Sequence, residues 1–216
     1  MTAAIDKEVE VADSRDSRQK LVAGAADMIR RRGLNATSVR ELAKYARAPL
    51  GSTYHYFPGG KTQLAAEAVT FAGELTSTLL TRELENGPVE ALRAFLSMWR
   101  KVVVDTEFRA GCPVLAVSVE DLPEAEAAPH EAAAAAFSQW TALLTTSLRE
   151  HGADPAAAER TATLIVAAAE GSVAMCRAEH STRALDHIGD QLTLIVEDLL
   201  ARSSSIETPS TGDEDA

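Results

Sequence analysis

Between Asn35 and Lys61 the chain places hydroxyls, phenols, an imidazole and cations at short intervals. Ser52 and His55 fall on one side of a short helical segment, where they can reach base edges or phosphates. Tyr54 and Tyr56 can donate phenolic hydrogen bonds to phosphates, as can the Thr37 hydroxyl and the free amides that follow Ser38. Arg40 and Lys61 supply charge at the two flanks. Gly51 removes a side chain where a helix would approach a duplex closely, and Leu50 offers apolar contact to a thymine methyl. The chemistry of this set is recognition of double-stranded DNA.

Two short helices joined by a tight turn must position these groups. Thr37 or Ser38 caps the first, and Glu41 stands three residues after Ser38 in the capping-box arrangement. Val39, Leu42, Ala43 and Ala46 make its apolar face. Pro49 opens the second helix as its first residue, and Phe57-Pro58-Gly59-Gly60 ends it near Tyr56. A preceding helix runs from about Arg15 to Arg32, capped by Asp13 or Ser14 and stopped by Gly33. Its buried stripe is Leu21, Ala25, Met28 and Ile29. Arg30, Arg31 and Arg32 complement the dipole of its last turn, which explains them without DNA. The spacing is that of a helix-turn-helix, in which one helix crosses the backbone and the next enters the major groove. Tyr45 is expected to pack inside this small head, Tyr54 suits packing there as well as a phosphate contact, and Arg47 suits a solvated position as well as a phosphate contact.

Charge is distributed to match. The whole chain carries −11, yet Asp13 to Gln63 holds ten basic residues against four acidic ones. A basic end on an acidic body points to nucleic acid as the partner of that end. Apolar residues are 46% and charged residues 25%, the balance of an ordinary globular chain. No apolar run reaches the roughly 18 residues of a membrane span, and the acidic start has no apolar signal region. Cys112 and Cys176 lie far apart and read as buried thiols in a reducing cytoplasm. His130, His151, His180 and His187, even with Cys112, have no metal or nucleophile spacing, so neither an enzyme nor a cofactor or metal site is expected.

Beyond Lys61 the pattern stays helical. A long helix runs from Thr62 to about Leu84, and amphipathic helices cover about Val89–Val104, Pro129–His151, Pro155–Arg177 and Leu185–Leu200. Val114 to Val119 could be a strand by its branching, but it has no partner strand and reads as a short buried helix. Phe71, Trp99, Phe108, Phe137 and Trp140, with Phe95, are the aromatic residues outside the head. With Val103, Cys112, Val117, Leu144 and Glu170 they are candidates to line an apolar ligand pocket between helices. Glu120 and Gln139 are further polar candidates for it. A recognition helix of about eight residues reads few base pairs, so a dimer is expected. One candidate dimer face is Leu164, Ala168, Gly171, Ser172 and Met175, and the other is Leu192, Ile195, Val196 and Leu199.

Thr37-Ser38-Val39-Arg40-Glu41-Leu42-Ala43, then Gly51-Ser52-Thr53-Tyr54-His55-Tyr56-Phe57 and Lys61, resemble the DNA-binding domain of the tetracycline-repressor (TetR) family. Gly111-Cys112-Pro113 and Ala169-Glu170-Gly171 resemble its multidrug-efflux subgroup, whose pump genes respond to drugs or aromatic compounds. The turn departs from the family pattern, with Arg47-Ala48-Pro49-Leu50 where Gly-Val-Ser and a polar residue are common. The resemblance implies an all-α protein with a three-helix head and a helical body for ligand binding and dimerisation. The expected division is a disordered arm over 1–13, the head over 14–63, the body over 64–202 and a disordered acidic tail over 203–216. The expected function is a cytoplasmic, homodimeric repressor on a pseudo-palindromic operator, released by a small apolar or aromatic effector, with no membrane partner. The alternative is a DNA-binding activator or architectural protein without ligand control.

Overall fold

The computed structural model describes residues 2–206, with side chains over 17–202. Among these residues every regular element is a helix: α1 (Thr2–Arg32), α2 (Val39–Tyr45), α3 (Leu50–Tyr56), α4 (Gly60–Leu84), α5 (Pro88–Asp105), α6 (Pro113–Ser118), a 3₁₀ turn (Glu124–Glu126), α7 (Ala128–Glu150), α8 (Pro155–Glu179) and α9 (Arg183–Ile206). The run Val114 to Val119 is helical as expected, opened by Pro113 and capped by Cys112, whose Sγ accepts the Leu115 N–H at 3.4 Å. One boundary differs widely from expectation. The capping signals at Asp13 and Ser14 put the start of the first helix near Arg15, but its backbone is already helical from Thr2, through the segment expected to be a disordered arm. A capping residue permits a helix start without enforcing one, and the Ala- and Glu-containing stretch before Asp13 has adequate helix propensity. The tail expected to be disordered from Ser203 is helical over its first four residues, because α9 runs on to Ile206, and the rest of that expectation, 207–216, lies outside the described residues.

The chain forms two compact units, Met1–Leu75 with Thr106–Phe137, and Thr76–Asp105 with Ser138–Ala216. The first contains α1, α2, α3 and α6. Leu21, Ala25, Ile29, Leu42, Phe57 and Leu64 are all at most 1% exposed and make the centre of its head. Helices this short are stable only through such packing. Gly24 sits with its missing Cβ 3.4 Å from the Ala46 side chain, so α1 and the end of α2 approach closely. Arg18 closes the head from outside. Its guanidinium lies 4.9 Å from the centre of the Phe57 ring and grips both carboxylate oxygens of Glu67 on α4, at 2.6 and 2.7 Å. This ties α1 to the first turns of α4.

The second unit is built from α5, α8, α9 and parts of α4 and α7. Phe95, Trp140, Leu144, Leu148 and Ile165 are at most 1% exposed. Phe95 meets Trp99 and Trp140 edge-on, each at 6.2 Å between ring centres, a favoured aromatic geometry. Both cysteines are buried, and neither forms a disulfide among the described residues. No described helix is long and apolar enough to cross a membrane.

Candidate nucleic-acid interface

The turn between α2 and α3 starts from α2's own capping chemistry. Ser38 accepts the Glu41 N–H at 3.2 Å, and the Glu41 carboxylate accepts the Ser38 N–H at 3.1 Å and its hydroxyl at 2.7 Å. Those bonds hold the Glu41 carboxyl below the usual carboxylate range. At the far end Ala48 N–H donates to Ala43 O at 2.9 Å and Arg47 N–H to Lys44 O at 3.2 Å. That pair of bonds is a Schellman stop, and it puts Arg47 at φ +54°, in the left-handed region that favours glycine. The glycine missing from the sequence pattern is therefore missing at the one residue of this turn whose backbone calls for it.

The stop sends the chain into α3. Pro49 is the N-cap of α3 with extended backbone, a correction of one position from its expected place as first helical residue. Its carbonyl accepts the Thr53 N–H and hydroxyl, both at 3.2 Å. Thr53 and Phe57 are buried and anchor α3 to the head. The other face of α3 is open. Gly51 has no atom within 4 Å of the Cβ it lacks, and Tyr54 is 54% exposed. His55 is exposed with its ring centre 5.7 Å from that of Tyr56, while Leu50, Ser52 and Tyr56 are half-buried. Ser38 and Arg40 are exposed on α2, and Lys61 is half-buried at the start of α4. The structure thus puts Ser38, Arg40, Gly51, Ser52, Tyr54, His55, Tyr56 and Lys61 in the head with accessible polar atoms or open backbone.

Three sequence expectations are revised. Thr37 is only 3% exposed and donates its hydroxyl to the Gly33 carbonyl at 2.7 Å, so it closes the end of α1 instead of facing outward. Tyr45 is not packed inside the head: it is 51% exposed, and its hydroxyl donates to Asp27. Asp27 also accepts Arg30 Nε at 2.7 Å and Arg31 Nε at 2.9 Å. Burial pushes the Asp27 carboxyl up, but the bonds from Arg31, Tyr45 and Arg30 outweigh it and hold the group below its ordinary range. The same bond to Asp27 pushes the Tyr45 phenol up. Two of the three last-turn arginines are thereby engaged within the head. Glu120, expected as a ligand contact, instead binds the turn between α1 and α2. The sequence carried no signal for a partner so far away in the chain.

The ligand and dimer candidates are distributed as follows. Phe71, Phe108 and Phe137 are half-buried, and Cys112 and Val117 are buried, all in the first unit. Trp99, Val103, Trp140, Leu144 and Glu170 are buried in the second. There Trp99 Nε1, Ser77 Oγ and Ser147 Oγ are buried without a hydrogen-bond partner among the described residues. An open groove of about 440 Å³ between α4 and α7 is lined by Leu84, Gln139, Leu143 and Ser147 among others, and by none of the ten ligand candidates. On α8 and α9, Leu164, Gly171, Met175 and Ile195 are exposed, and so is Leu194 at 58%. Ser172, Leu192 and Val196 are at most 2% exposed within the chain's own packing, which removes them from an outer face; Ala168 and Leu199 are half-buried.

A capped short helix, a tight stop and a second short helix with an open polar face define a helix-turn-helix DNA-binding protein. Residues 21–68 match the family described as bacterial regulatory proteins, tetR family, and residues 88–191 match the C-terminal domain of LmrA/YxaF-like transcriptional regulators. An HTH-type transcriptional regulator of Mycobacterium tuberculosis is 39% identical over 191 residues, covering 86% of this chain and 97% of its own. The HTH-type transcriptional regulator LmrA of Bacillus subtilis is 30% identical over 189 residues, covering 87% and 98%. The crystal structure of a TetR regulatory protein from Rhodobacter sphaeroides has the same fold, with a TM-score of 0.73 at 22% identity over 83% of this chain and 98% of that one. The chain belongs to the TetR family of DNA-binding transcriptional regulators and is not an enzyme.

Proposed function

We propose that this regulator is a homodimeric repressor that binds a pseudo-palindromic operator and leaves it when a small apolar or aromatic effector binds the body. Regulators of this family are typically ligand-responsive repressors. The observation that carries the DNA half is the open face of α3, where Gly51 leaves 4 Å of empty space beside Ser52, Tyr54 and His55. Ser52 and His55 read base edges, Leu50 touches a thymine methyl, and Pro49 sets the angle of entry. Arg40, Tyr54, Tyr56, Lys61 and the Ser38 end of α2 hold phosphates. A seven-residue α3 spans too few base pairs for a unique site, so two heads act together. The exposed stripe of Leu164, Gly171 and Met175 on α8, beside Leu194 and Ile195 on α9, supplies the surface that joins them.

The effector enters the aromatic interior of the second unit around Trp99 and Trp140. The buried indole N–H of Trp99, which lacks an acceptor among the described residues, favours a ligand with a hydrogen-bond acceptor. Such a ligand would favour a state in which the two heads no longer match one duplex. The protein works in the cytoplasm, beside its operator. Selection of duplexes from a random pool, followed by competition with aromatic compounds, tests both halves. Enrichment of a two-fold symmetric site and its release by a compound that changes tryptophan fluorescence are expected; an unselective pool or unresponsive complexes would refute the respective half.

A further inference from the structure

Glu120 follows α6 and belongs to the stretch matched by the C-terminal family domain. Its carboxylate nevertheless closes a turn of the DNA-binding domain. Oε1 accepts the Leu34 N–H at 2.5 Å and Oε2 the Asn35 N–H at 2.9 Å. These two amides stand just past the end of α1 and lead into α2. A carboxylate held by two backbone N–H groups is a strong and directional contact.

The surroundings are shaped to it. Gly33 has φ +79°, and a Cβ there would overlap Glu120 Oε1, so the missing side chain both permits the turn and admits the carboxylate. The Glu120 backbone is held on both sides: its carbonyl accepts His130 Nε2 at 2.9 Å, and its N–H donates to Val117 O at 3.1 Å. Nearby, Gly111 N–H donates to Arg30 O at 3.0 Å, tying the start of the α6 segment to the last turn of α1. The carboxylate is therefore presented from a fixed backbone to a fixed turn. Four residues after Leu34, Ser38 caps α2, so the direction of this turn sets the direction of α2 and of the α3 that follows.

We infer that Glu120 is a positioning residue for DNA binding: a side chain of the C-terminal domain fixes the α1–α2 turn and thereby the placement of the recognition helix. The inference rests on the reading that α3 contacts operator bases. It makes specific affinity depend on a residue that touches no DNA, and it gives any displacement of the α6 segment a direct route to the head.

The test uses the full chain and a duplex selected by the wild type from a random pool, with an unrelated duplex as the nonspecific reference. At a temperature where circular dichroism shows each variant folded, Glu120→Ala lowers affinity for the selected duplex about tenfold, the equivalent of one charge-assisted hydrogen bond. Its nonspecific affinity and salt slope stay as in the wild type, because every phosphate-binding group is still present. Glu120→Gln, which keeps an oxygen for one amide, falls between. Gly33→Ala, which expels the carboxylate, reproduces the loss, and adding Glu120→Ala to it brings no further loss. Amide exchange at Leu34 and Asn35 quickens in Glu120→Ala. Unchanged specific affinity in Glu120→Ala, or an equal fall in specific and nonspecific affinity, overturns the inference while leaving the repressor reading intact. Failure of the wild type to select any duplex removes that reading and the inference with it.

Discussion

Arg47→Gly should make the protein more stable, although it deletes a charged side chain from the DNA-binding head. Arg47 occupies the left-handed position of the Schellman stop at φ +54°. That conformation costs a residue with a Cβ about 1–2 kcal/mol, while glycine loses roughly 0.5–1 kcal/mol more than other residues in unfolded-state freedom. The difference favours glycine by about 0.5–1 kcal/mol. Arg47 is exposed, so its removal uncovers no core. In a protein of this size such a gain raises the melting temperature by roughly 1–4 °C. Arg47→Ala is the control, because it removes the same charge and keeps the Cβ. The expected order by thermal melting and urea titration is Gly above Ala, with Ala close to Arg. A glycine variant no more stable than the alanine variant would show that this backbone conformation carries no cost at Arg47.

Ser38→Ala breaks the capping box and should destabilise the head by about 1 kcal/mol, read as a lower urea midpoint with an unchanged slope. Asp27, with its carboxyl held low in the folded head, contributes stability that is present above its unfolded value of 3.8 and is lost as pH falls through the lower folded value. Asp27→Asn should therefore flatten the acid limb of stability against pH; an identical limb in both proteins would contradict the Arg31–Tyr45–Arg30 cluster. Leu164→Glu on the exposed stripe of α8 should shift sedimentation toward monomer while leaving helicity intact, and a persistent dimer would exclude that face. Arg40→Ala and Lys61→Ala should weaken binding to every duplex and make the salt dependence shallower by about 0.9 for each phosphate no longer neutralised; unchanged slopes would mean that neither touches phosphate.

Local signals reached the head far better than they reached its supports. The Ser38–Glu41 box, the Phe57-Pro58-Gly59-Gly60 stop and the buried stripe through Leu21, Ala25 and Ile29 are written in neighbouring residues, and the helices form where those residues dictate. Arg47 was legible as a departure from a pattern, but its strained backbone needed coordinates. Tyr45 and Thr37 went the other way from expectation for one reason: a polar group is placed by its partner, and the partners, Asp27 and the Gly33 carbonyl, lie across a turn or a helix pair. Glu120 is the extreme case, since nothing around it in the chain points to Leu34. On α8 and α9, helical spacing identified apolar faces without saying which way they look. Ser172, Leu192 and Val196 turn inward, and Leu164, Met175 and Ile195 turn outward.

In the proposed function two of these heads read one symmetric stretch of DNA. Selection of the full-length wild type against a random duplex pool, with the mass of the resulting complex measured by sedimentation, tests it in one experiment. An enriched site with two inverted half-sites and two chains bound per half-site pair is expected. Enrichment of a single asymmetric half-site by one chain, or no enrichment at all, would contradict it.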